Sequence, residues 1–132
     1  MTFAAGAQIQ LLSKVEASGP YGPLRGSLIL LAKNAPIILM IPSSGPTDRD
    51  GNSPLGIRAA PYRMLAEDLS KQGIGSVRID KRGMFGSLRT VPDASAVTIN
   101  DYVRDVGPWV DAIRAKAGGK MFGLSAIAKA VW

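Results

Sequence analysis

Two serines and a glycine, Ser43-Ser44-Gly45, follow soon after an unbroken apolar run from Ile37 to Ile41. A buried strand running into a small-residue loop presents backbone N–H groups at the carboxyl edge of a sheet, where α/β enzymes usually work. That is a site-like feature, but only part of a site. Turnover also needs a nucleophile and a base. The chain has no histidine, the commonest general base at neutral pH, and no cysteine, which excludes disulfides, thiolate chemistry and cysteine metal sites. Ser125 sits in Gly123-Leu-Ser-Ala-Ile127, which is half of a Gly-x-Ser-x-Gly pattern. Ile127 replaces the glycine that would let strand and helix approach, and no imidazole can activate the serine. The residues supply a loop of backbone N–H groups without an attacking group.

Other motifs exclude more than they suggest. Asp48-Arg-Asp-Gly-Asn52 has the look of a calcium loop, but Ser53 and Ala59 stand where glycine and glutamate are required. It reads instead as a turn fixed by Asx-type bonds from side chain to backbone. No Gly-x-x-x-x-Gly-Lys-Ser/Thr spacing occurs, and Gly73-Ile-Gly75 precedes a strand rather than opening a helix. No metal or organic cofactor is expected. The net charge of +6 raises nucleic acid as a partner. The cations are scattered, however, and only Arg78, Lys81 and Arg82 cluster, without interleaved aromatics to stack bases. No nucleic-acid function is expected.

With 132 residues, 46% of them hydrophobic, the chain can form one domain with a moderate core. No apolar run is long enough for a membrane span. Residues 1–7 read as a flexible Ala/Gly-rich end without the basic and apolar regions of a signal peptide. That favours a cytoplasmic location. Ala5-Gly6-Ala7 nevertheless has a cleavage-site pattern, so a missed upstream export signal and a secreted or periplasmic location stay open.

Residues 7–17 alternate loosely and read as a strand, and 24–32 read as a second after the Gly-Pro-rich turn 19–23. The two suggest an antiparallel hairpin leading into the buried strand at Ile37. Pro61 suits a first helical turn, and Tyr62, Leu65, Ala66 and Leu69 would form one apolar face, with Gly73 at C′. Residues 74–80 read as a strand parallel to the buried one, joined to it through that helix. Residues 81–97 read as a long polar loop. Thr98 and Asp101 form a capping-box pattern for a helix whose apolar face is Tyr102, Val103, Val106, Val110 and Ile113. Pro108 predicts a kink in that helix, and Gly118-Gly119 its end.

The run Pro42-Ser-Ser-Gly-Pro-Thr-Asp-Arg-Asp-Gly-Asn-Ser-Pro-Leu-Gly56 resembles the post-strand loop of a bacterial branch of the α/β-hydrolase family. Ala59-Ala-Pro-Tyr-Arg-Met-Leu-Ala-Glu-Asp-Leu69 is similar to the family's first helix, and Arg78-Ile-Asp-Lys-Arg-Gly-Met-Phe-Gly-Ser87 to its next strand and Asp-x-Arg-Gly loop. Thr98-Ile-Asn-Asp-Tyr-Val103 continues into the second helix. The resemblance spans residues 8–118. It implies an α/β fold, the amino-terminal part of an α/β hydrolase with an incomplete sheet, filling residues 1–132 as a single partial domain. It also implies a serine hydrolase, esterase-, lipase- or peptidase-like, acting on a small-molecule ester or peptide through an acyl-enzyme. By the same resemblance Ser44 contributes its backbone N–H to the oxyanion hole and Gly45 lets that loop turn. Asp80, Arg82, Gly83 and Ser87 resemble scaffold residues that order the neighbouring loop.

The family continues with a strand, a nucleophile elbow, an acid and a histidine. Here residues 120–132 form an atypical tail, so the chain itself is expected to be inactive. The genetic code permits an explanation. With suitable codons for residues 120–132, reading from the third base of the Lys120 codon gives Asp-Val-Trp-Leu, then Ile or Val. Reading on from the third base of the Ser125 codon gives Gly-His-Ser-Glu-Gly-Gly-Leu, a complete elbow. A slip of one nucleotide near Gly119 would leave a frameshifted, truncated hydrolase. The other reading is a non-catalytic binding module, self-associating through an open sheet edge.

Overall fold

The apolar run lies inside a five-stranded mixed sheet as strand β3, Ile37–Ile41, with a parallel neighbour on each side. The structure is a computed structural model and describes residues 11–31, 35–42, 45–56, 58–117 and 123–126. The strands are β1, Leu11–Ala17; β2, Leu24–Leu30; β3; β4, Gly75–Ile79; and β5, Gly123–Ala126. The helices are α1, Pro61–Lys71, and α2, Ile99–Ala117.

The sheet order is β1-β2-β4-β3-β5. The expected hairpin forms, with Leu12 opposite Ile29 and Glu16 opposite Arg25. β2 then pairs antiparallel with β4, Leu28 facing Val77, and the β3–α1–β4 unit is parallel as expected. The tail contributes a strand, β5, which runs parallel to β3 with Ser125 opposite Met40. Placing a short strand there satisfies ladder groups that β3 would otherwise expose along its free side. Residues 1–10, including the expected flexible end, and 127–132 lie outside the described residues.

Apolar side chains cover both faces of the sheet. Leu28, Ile37, Leu39, Val77 and Ile79 pack with Trp109 and Ile113 of α2, while Ile29, Leu31 and Met40 pack with Ala66 of α1. The buried stripe of α1 is Tyr62, Ala66 and Ser70, whereas Leu65 is 42% exposed. The helix lies on the line i, i+4, i+8, rotating Leu65 outward from its expected place. In α2, Trp109 and Ile113 are buried and Val103 is 63% exposed, a similar rotation.

Local signals match closely. Gly73, at φ 82°, ends α1 with Gly73 N–H donating to Ser70 and Ile74 N–H to Leu69, a Schellman motif. Thr98 and Asp101 cap α2 reciprocally. Pro108 lies inside that helix, which runs to Ala117, next to the glycines expected to end it. The expected loop 81–97 is more ordered than its composition suggests, with 3-10 turns at Phe85–Thr90 and Ala94–Ala96.

Candidate functional site

β3 and β4 are parallel, so the loops that follow them emerge side by side at the same edge of the sheet. Ser43 and Ser44 lie outside the described residues. Gly45 is described, at φ 83°, a left-handed conformation that favours glycine. Its carbonyl is held twice, by the Thr47 N–H at 2.8 Å and by Lys81 Nζ at 3.1 Å. Lys81 is buried, and its ammonium lies 5.3 Å from the centre of the Tyr102 ring. Burial holds the Lys81 pKa below the usual lysine value and pushes the Tyr102 hydroxyl up. A charge-assisted bond to Gly45 and a ring face on α2 thus anchor the loop after β3. The sequence marks Lys81 only as part of a basic cluster; its bond spans 36 residues and leaves no local pattern.

The rest of the Gly45 loop is fixed by the side chains of Asp48 and Asn52. Asp48 Oδ1 accepts from the N–H groups of Asp50 and Asn52, each at 2.9 Å, which is the expected Asx-type turn. Asn52 in turn accepts from the Ala60 N–H at 2.7 Å, tying the loop to the start of α1.

Asp80 joins three elements at the end of β4. It accepts from the backbone and guanidinium of Arg49, from Gly86 N–H, and its own N–H donates to Arg25 of β2. Arg49 also donates to Ser27 Oγ at 3.0 Å. Ser87 is fully buried; its hydroxyl donates to the Asp80 carbonyl and accepts from Arg25 N–H. Gly83 N–H donates to Thr90 Oγ1 and to the Ser87 carbonyl. Arg82 forks onto Asp105 of α2, with nitrogen–oxygen distances of 3.0 and 2.6 Å, and that bonding raises its pKa. Asp80, Arg82, Gly83 and Ser87 therefore order the loop between β4 and α2, and none is aimed as a reacting group. Sequence reasoning missed Arg49 and Asp105, the partners that complete this scaffold.

Ser125 lies within β5, paired in the ladder, rather than on a sharp turn following a strand. A nucleophile elbow requires that turn. Among the described residues no group of His, Cys, Asp or Glu could hold a metal ion, and no helix is long and apolar enough to cross a membrane. The arrangement can anchor a loop of backbone donors at the sheet edge.

No family model matches the chain, and no curated protein matches it. Solved structures do. XC6422 from Xanthomonas campestris, an α/β serine hydrolase without a lid, aligns over 87% of this chain and 50% of its own, at 19% identity and TM-score 0.57. A dienelactone hydrolase-like promiscuous phosphotriesterase from metagenomic libraries aligns over 90% and 48%, at 19% identity and TM-score 0.51. The chain spans about half the length of these structures. With its β1-β2-β4-β3-β5 order and covered faces, this chain has the α/β-hydrolase fold, as the part of it that these 132 residues supply.

Proposed function

We propose that the chain carries the oxyanion-loop part of a serine hydrolase that cleaves an ester or amide through an acyl-enzyme. The observation that supports this reading is the anchored loop after β3, with the Gly45 carbonyl clamped by Lys81 and the flanking turn fixed by Asp48. In such an enzyme the serine attacks the carbonyl, histidine acts as base and then acid, and the Ser44 N–H helps stabilise the oxyanion. The substrate is a small ester or peptide, and no cofactor is needed. Residues 1–132 contain no histidine, so this chain alone is inactive.

A slip of one nucleotide near Gly119 accounts for the absent elbow. The test is to resequence the gene from the Asp111 codon well past the Trp132 codon. The proposal expects an in-register Gly-x-Ser-x-Gly in a shifted frame, followed by a later aspartate and histidine. An intact elbow in the unshifted frame removes the slip, and no elbow in any frame leaves the binding-module reading in its place.

A further inference from the structure

On the α1 side of the sheet, Leu12, Ile29, Arg63, Glu67 and Arg78 line an open cavity of about 590 Å³. Arg78 comes from β4 and is 5% exposed. Its Nη1 donates to Asp50, while its Nε is buried without an acceptor. Ser76 Oγ, two residues earlier on the same strand face, is also buried without a partner. A buried charged donor lacking an acceptor is costly, and an oxygen brought in by a ligand removes that cost. Arg63 reaches the cavity from the first turn of α1, where Glu67 is 3.8 Å away and both side chains are more than half exposed. Such an exposed pair holds its arginine weakly. Burial lowers the Arg78 pKa most; the Asp50 charge opposes that, and the nearby charges of Arg49 and Arg63 lower it further.

We propose that this cavity binds a small aliphatic carboxylate through the guanidinium groups of Arg63 and Arg78. A planar carboxylate matches a guanidinium fork and supplies the acceptor that Arg78 Nε lacks. Its alkyl group would lie on the wall formed by Leu12 and Ile29. The 43–45 loop takes no part, so the site stands whether or not the hydrolase reading does.

Butyrate and inorganic phosphate, titrated separately into the purified chain, test this by NMR of the arginine Nε–H groups. Butyrate is expected to shift the Arg78 signal saturably, with phosphate at least fivefold weaker. Arg63→Gln, at an exposed position, should keep the circular dichroism spectrum and weaken butyrate at least fivefold. Should the Arg78 signal be exchange-broadened, a butyrate-dependent rise in Tm, lost in Arg63→Gln, decides in its place. A linear shift shared by all arginines, equal affinity in the variant, phosphate binding at least as tightly, or no rise in Tm would overturn the site.

Discussion

Arg49 and Asp80 join the loops after β3 and β4 through three contacts: Arg49 N–H to Oδ1 at 2.8 Å, and Nε and Nη2 to Oδ2 at 3.0 and 2.7 Å. The Asp80 side chain is 4% exposed and that of Arg49 22%. One carboxylate therefore sets where two chain segments leave the sheet edge. Asp80→Asn keeps the shape but removes the charge, leaving a largely buried guanidinium unpaired. Breaking a buried pair in this way costs about 3–5 kcal/mol. Urea unfolding should show a lower midpoint with an unchanged slope.

Gly86 lies against that ion pair. A Cβ there would come within 2.6 Å of Arg49 Nη2 and 2.8 Å of Asp80 Oδ2. Gly86→Ala is expected to destabilise the chain by about 1–3 kcal/mol, as overpacking does. Gly107 is the contrast, since it lies within α2 and a Cβ would meet nothing within 4 Å beyond its chain neighbours and the adjoining turns of its own helix. Gly107→Ala gains about 0.5–1 kcal/mol of helix propensity, but its Cβ faces the Pro108 ring that follows it, so the two effects offset and it should destabilise less than Gly86→Ala. Parallel thermal melts of the two variants check that order.

Lys81 gives a dependence on pH. Its folded pKa lies below the ordinary value of 10.5, so between the two the unfolded chain binds more protons. Stability from this group therefore rises with pH through that window. Tyr102 acts oppositely, because its folded pKa is raised above 10.0 and ionisation favours the unfolded chain. Lys81→Met isolates the lysine. The difference in stability between wild type and variant should move in favour of wild type as pH rises towards 10.5, measured by urea unfolding at several pH values.

What could be read in the sequence was local. The Asx turn at Asp48, the C′ glycine at Gly73 and the capping box of Thr98 and Asp101 each lie within a few residues, and all three form. Family resemblance added Asp80 and Ser87 as scaffold. Lys81 and Gly45, 36 residues apart, and Arg49 and Asp80, 31 apart, meet only because β3 and β4 are neighbours. Trp109 was hidden by Gly107-Pro108, which interrupts the periodicity around the largest fully buried side chain of α2. β5 was illegible because Gly123-Leu-Ser-Ala126 is too short and too small-sided to announce a strand without the β3 edge beside it.

The central proposal is that these residues carry the oxyanion-loop part of a serine hydrolase and that Ser125 is not its activated nucleophile. Exposure of the purified, folded chain to a fluorophosphonate probe, followed by intact mass and peptide mapping, tests it most directly. The account predicts an unmodified mass after prolonged incubation, with Ser125 unlabelled in its strand. Stoichiometric labelling at Ser125 would contradict it.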